Sequence, residues 1–244
     1  MRDKIELPSY KRIDFPKPKP PLKLELPKER FPVVVAIQET PESVLLAANN
    51  NEKVFPNRMF RALQSHPTAP LAWGYSGNHW IGYDRFTPWL QSYQWPPKNL
   101  DTFEDEIISK WCTLNGDQRR LIKSSGAKVD NRDLADLVVA CYLDKIFCFW
   151  VYNNAKHWHL GCPFTACYLG PGAREAGMLY HWTMKEFESS APSTDILLAK
   201  VIRESCGVSP HHDVPIHICR VSKKGVEQWV SNPTVQYPWF GPLD

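Results

Sequence analysis

The pattern of hydrophobic and polar positions changes period several times along the chain. Val33-Val34-Val35-Ala36-Ile37-Gln38 is a continuous β-branched run and predicts a short buried strand. Thr40-Pro41-Glu42 then carries the signs of a helix start, with Thr40 as N-cap and Pro41 at the first helical position. A second short helix is expected over 56–65, and 71–86 suggests an aromatic-rich hairpin turning at Ser76-Gly77-Asn78. Residues 101–143 form a helical subregion. Asp101 with Glu104 makes a capping box, Asn115-Gly116 punctuates, and a second helix ends at Gly126. A third helix over 131–143 sets Leu134, Leu137, Val138 and Cys141 on one face.

From Lys145 the period shortens to that of strands. A strand over 145–152 turns at Asn153-Asn154 and returns through 157–170, with an irregularity from Gly161 to Pro163. On the returning strand His157 and His159 share one face while Trp158 turns inward. Residues 171–177 suggest a loop, and 178–187 fit strand or helix equally. Ser193 caps an amphipathic helix over 194–206 that Gly207 closes. A strand from Val214, a turn at Lys223-Lys224-Gly225, a further strand and a Pro-aromatic tail complete the chain. Strands and helices are segregated rather than alternating. The expected class is therefore α+β, a mixed domain of antiparallel hairpins and short helices spanning 33–244. Residues 1–32, with Pro every few positions, are expected to form an extended Pro/Lys-rich arm.

Composition adds three constraints. Ten Trp and 22 Pro suit a β-rich core with aromatic surfaces or a protein-binding face, while 12 Gly in 244 residues argue against a glycine-cradled nucleotide site. The arm holds nine Lys/Arg against five Asp/Glu, leaving twenty against twenty-one for the body, which is close to neutral. No run of eighteen apolar residues and no apolar leader occur, so neither membrane insertion nor a signal peptide is expected. Seven cysteines without paired spacing suggest reduced thiols and an intracellular location, in the nucleus or cytoplasm.

Three kinds of chemistry compete. A Cys/His set of His157, His159, Cys162 and Cys167, with Cys148 and His181 in reach, admits zinc as a cofactor. The plainer alternative is a packed hairpin with polar edge histidines and no cofactor. A second cluster, His211, His212, Asp213, His217 and Cys219, is equally natural as a surface turn. Catalysis by Cys162 or Cys167 with His157 or His181 lacks any supporting motif, so no catalytic residue is assigned and an enzyme is the weaker expectation. Nucleic-acid binding has a more definite candidate in 110–128. Helix, Asn-Gly turn and helix are compatible with helix-turn-helix geometry, with Arg119 and Arg120 for bases or phosphates and Lys110, Lys123 and Lys128 for phosphates. An ordinary solvated helical face is the alternative. In the arm, Pro16 to Pro21 (PKPKPP) suits an aromatic groove or a solvated extended segment.

Cys112 in a helical segment, Ile146-Phe147-Cys148 on a strand, Trp158, and Pro171 to Arg174 with Gly177 before Met178-Leu179-Tyr180 follow one another in a suggestive order. Over about residues 105–185 this resembles the DNA-binding part of foamy-virus (spumaretrovirus) regulatory proteins of the Tas type. The resemblance implies a viral, non-enzymatic transcriptional transactivator that binds promoter DNA. It equally admits the sister Bet-type accessory proteins, which bind and antagonise host APOBEC-type restriction factors. Trp73, Trp80, Trp89 and Trp95 would then be the exposed protein-binding residues.

Overall fold

The computed structural model describes residues 33–49, 62–130, 133–152, 157–160, 166–170, 173–186, 193–205 and 216–231. The arm 1–32, the turn at Asn153-Asn154, Cys162, the His211-His212-Asp213 cluster and the tail from 232 lie outside them.

Strand β1 (Val34–Thr40) pairs with β2 (Ser43–Asn49) across a tight turn. Thr40 and Ser43 share a 2.7 Å hydroxyl contact, and Thr40 Oγ1 accepts from the Glu42 amide at 3.2 Å. The expected helix start at Thr40 is thus a turn, because the same hydroxyl that caps a helix can close a hairpin. The first sheet runs β10-β9-β2-β1-β8, taking in β8 (Ala166–Leu169), β9 (Ile216–Ser222) and β10 (Gly225–Ser231). The second runs β3-β4-β5-β6-β7, from β3 (Leu63–Ser65), β4 (Leu71–Gly77), β5 (Ala135–Tyr142), β6 (Ile146–Val151) and β7 (His157–His159). All the described pairings are antiparallel.

The two sheets pack face to face and each carries helices on its outer face. Val34, Ala36, Leu46, Val138, Ala140, Cys148 and Cys219 meet between the sheets. Val35, Ile37 and Leu45 face outward under α3 (Ala173–Glu186) and α4 (Thr194–Ser205). Trp73, Leu137, Val139 and Phe149 face outward under a π-helical turn (Trp80–Phe86), α1 (Thr87–Gln91) and α2 (Leu100–Ser124). The architecture is α+β in four layers, helix–sheet–sheet–helix. Gly74 permits the close approach of the sheets, since a Cβ there would sit 2.7 Å from Val34 Cγ1.

Burial on both faces explains the largest misreading. The run Leu137 to Cys141 was expected on a helix and is strand β5, because a strand covered on both sides is as uniformly apolar as a buried helix. Residues 63–65 are likewise strand rather than the end of a helix. The expected hairpin over 71–86 is β4 followed by the π-helical turn. Gly77, at φ 108°, makes the exit from the strand. After β7 the chain leaves the second sheet and supplies β8 to the first, so 157–170 is not one returning strand. Residues 173–186 are helix, which settles the ambiguous 178–187 stretch and shortens the expected loop before it.

Candidate functional site

The 110–128 segment is not a helix-turn-helix. Asn115 and Gly116 lie inside one 25-residue helix, α2. Asn99 is its N-cap, accepting from the Thr102 amide at 2.7 Å, so the expected Asp101–Glu104 box is not the capping device. Phe103, Glu104, Ile107, Trp111, Leu114 and Asn115 face the second sheet and are buried. Their spacing follows the helical period. Asn115 does in the helix what a strand neighbour does in a sheet. Its Oδ1 accepts from the Ala135 amide at 3.0 Å, and its Nδ2 donates to the Ala135 carbonyl at 3.3 Å and the Trp111 carbonyl at 3.2 Å. Trp111 Nε1 donates to the same Ala135 carbonyl at 3.1 Å. The amide that signals a turn in a short window is committed to the start of β5.

Beyond Asn115 no residue of α2 is buried. The helix continues through Ser124 and closes in a Schellman arrangement, with Gly126 at φ 77°. Gly126 N donates to the Lys123 carbonyl at 3.0 Å and Ala127 N to the Ile122 carbonyl at 3.3 Å. This last stretch carries Arg119, Arg120 and Lys123, which fall within an arc of about 100° at 3.6 residues per turn. Arg120 and Lys123 are exposed, Arg119 is half-buried, and Arg120 pairs with Asp117. Lys128 is exposed just past the helix end. Leu121, 58% exposed, lies about 160° around the helix from Arg119 and Lys123 and so stands apart from these charges. Lys110 does not join them. It lies roughly 180° around the helix from Arg119, with its ammonium 5.9 Å from the Trp89 ring centroid.

The tryptophans expected at the surface divide. Trp73 is fully buried under the π-helical turn and donates to Thr87 Oγ1 at 3.2 Å, so it cannot meet a partner. Trp80, Trp89 and Trp95 are half-buried at the rim of the same layer. Arg85 lies over Trp80 at 5.0 Å, and Trp95 meets Phe103 edge-on at 5.7 Å. Trp158, expected to turn inward, is 44% exposed. An apolar side chain on a three-residue edge strand has a neighbouring strand on one side only.

Of the four proposed zinc ligands, the side chains of His159 and Cys167 are described. His159 stands on the outer face of the second sheet, edge-on to Phe147 at 4.9 Å, with Nε2 2.9 Å from Oε1 of the buried Glu104. Cys167 is buried between the sheets, on the other side of that sheet. The two therefore cannot share one tetrahedral ion as drawn. The Glu104–His159 contact was not legible in the sequence, although Glu104 falls on the apolar face of α2 beside Phe103 and Ile107.

The described thiols are held protonated. Burial pushes Cys167 and Cys219 up to about 12, and Cys141 up to about 12 with a smaller contribution from Glu104. Burial raises Cys148 far above the ordinary range. Cys112, half-buried on α2, is raised by burial as well. A thiol in that state is a poor nucleophile. Elsewhere, the Tyr75 hydroxyl lies 3.1 Å from His79 Nδ1, and His79 Nε2 lies 3.8 Å from Asp84 Oδ1. Burial, then Tyr83 and Asp84, raise the Tyr75 phenol and keep it neutral in this contact, which ties the π-helical turn to β4.

No described helix is long and apolar enough to cross a membrane. The chain matches no known protein family and no curated protein.

Proposed function

We propose that this chain is a non-enzymatic regulatory protein that binds duplex DNA through the C-terminal end of α2, in the manner of a Tas-type viral transactivator. The observation that carries the reading is the change of character at Asn115. The helix is buried against the second sheet up to Asn115 and has no fully buried residue beyond it, where Arg119, Arg120 and Lys123 lie, with Lys128 following. A single helix end of this kind fits a major groove about 12 Å wide. It needs no second helix across the backbone. Arginine contacts either guanine edges or phosphates there, and the lysines contact phosphates. Lys110 takes no part.

Three to four phosphate contacts predict that log K falls with log salt at a slope of about −3. Replacing Arg119, Arg120 and Lys123 together with Ala should cost on the order of 100-fold in affinity at low salt and flatten that slope. Because Arg120 and Lys123 are exposed, thermal unfolding of the variant that changes those two alone should be nearly unchanged. Unaltered low-salt affinity in the triple variant rules the reading out.

One observation favours the runner-up, a Bet-like accessory role through contact with a host protein. Leu121 is a large apolar side chain left exposed on the side of α2 away from Arg119 and Lys123. Under that reading Leu121→Ala weakens capture of the partner, capture survives high salt, and duplex DNA is not retained.

A further inference from the structure

The margin of the second sheet at β6 and β7 holds an aromatic cluster that the DNA reading does not use. Trp158 stacks on Trp150 with centroids 6.0 Å apart and planes 20° apart. Tyr152 meets Trp158 edge-on at 5.2 Å and 84°. Trp150 and Tyr152 are half-buried against the inter-sheet core, so the exposed Trp158 rests on a fixed base. The cluster has an acidic neighbour. Leu137 pairs with Val151 in an antiparallel ladder, so one step back from Leu137 and one step on from Val151 Asp136 falls opposite Tyr152. The Asp136 charge is close enough to contribute to the raised Tyr152 phenol. Aromatic faces beside a carboxylate suit a proline-rich segment that also carries lysine. Proline rings lie on aromatic planes, and an extended polyproline backbone brings its ligand edge without needing a sheet partner.

We propose that this margin docks the chain's own basic proline segment, Pro16 to Pro21, with the proline rings on Trp158 and Tyr152 and Lys17 or Lys19 toward Asp136. Three features favour that occupant. At three residues per turn, Pro18 and Pro21 share one edge of a polyproline helix about 9 Å apart, and the lysines project from the others. The reach is ample. Val34 enters over Gly74 of β4, and Trp158 is three strands further across, about 14 Å at the usual strand spacing. The twelve residues from Pro21 to Val33 span up to about 37 Å when extended. Charge also selects this segment. Another proline-aromatic stretch, 237–244, carries no Lys or Arg and so brings no cation to the Asp136 carboxylate.

Zero-length carbodiimide cross-linking of the full chain, read by mass spectrometry, tests the proposal directly. Lys17 or Lys19 should join Asp136. Trp158→Ala should lower the yield of that link by roughly fivefold or more, as loss of an aromatic seat would. Changing Pro18, Pro20 and Pro21 together to Ala should do the same while leaving the folded body untouched. A link formed equally well in both variants, or arm lysines that join other carboxylates instead of Asp136, overturns the docking. In a mixture of isotopically heavy and light chains the link should form within one chain. Heavy–light pairs would assign the seat to a second copy and overturn the intramolecular version.

Discussion

The two parts of α2, Leu100–Asn115 and Gly116–Ser124, are one continuous helix under different physical rules. The first is amphipathic, with Phe103, Ile107, Trp111 and Leu114 against the second sheet and its inward polar groups engaged: Glu104 with His159, and Asn115 with Ala135. The second has no fully buried residue, and Arg120, Leu121, Lys123 and Ser124 are exposed. A helix of this length is marginal in water without tertiary support. The anchored part supplies that support, and the free end inherits its direction. A rigid element carrying charge away from the body positions it better than a loop does.

Substitutions across the break should therefore fall into two classes. The largest effect is expected at Trp111, fully buried, edge-on to Phe86 at 4.8 Å and hydrogen-bonded to Ala135. Trp111→Ala should cost about 3–5 kcal/mol of unfolding free energy. Leu121→Ala should change it by less than about 0.5 kcal/mol. Denaturant midpoints measure both, and equal costs would erase the distinction between the two parts.

Asn115 is the next test, at the break itself. Asn115→Ala removes the acceptor of the Ala135 amide in a buried position, while the Ala135 carbonyl keeps Trp111 Nε1, an expected loss of about 1–3 kcal/mol. Hydrogen exchange at the Ala135 amide should rise with it. If Asn115 merely terminated one helix and began another, the substitution would be close to neutral.

Cys141 tests the buried side by pH. It lies beneath the anchored part of α2, and its thiol is pushed from an ordinary value near 9 up to about 12 by burial and then by Glu104. The folded state keeps a proton that the unfolded state releases above about 9. Stability is thus unaffected below that pH and falls as pH rises from 9 towards 12. The contribution is about 1.4 kcal/mol per pH unit. Cys141→Ala should make the alkaline loss shallower by that amount. The half-buried Cys112, on α2 itself, should react with a thiol reagent in the native protein, while Cys141 waits for unfolding.

Much of the fold was legible where one physical cause dominated. The β1 run, the β6 strand, the Gly225 turn between β9 and β10, and α4 after Ser193 all lie where expected. What misled was context outside the local window. Thr40, with the chemistry of a cap, closes a hairpin, and Leu137 to Cys141 is a strand whose two faces are both covered. Around the candidate site, the exposure of Arg120, Lys123 and Lys128 was legible, since Lys and Arg are rarely fully buried. Tryptophan carries no such constraint. Trp73 is sealed by the π-helical turn while Trp158 is left open at a sheet edge, and neither follows from its neighbours in sequence.

An effect smaller than those at Trp111 and Asn115 is also the sharpest. Gly116 follows Asn115 in a pair that usually marks a turn with positive φ, where a side chain would be strained. In α2 it occupies a helical position, and a Cβ added there meets nothing within 4 Å. Gly116→Ala should therefore stabilise the protein by about 0.5–1 kcal/mol, since Ala loses less backbone entropy than Gly in a helix interior. The same change at Gly126, held at φ 77° by the helix end, should destabilise, although that site has equally open space. Opposite signs at two uncrowded glycines in one segment isolate backbone conformation from packing. They are the signature of a single helix running through the Asn-Gly pair, and a loss of stability in Gly116→Ala would restore the two-helix reading.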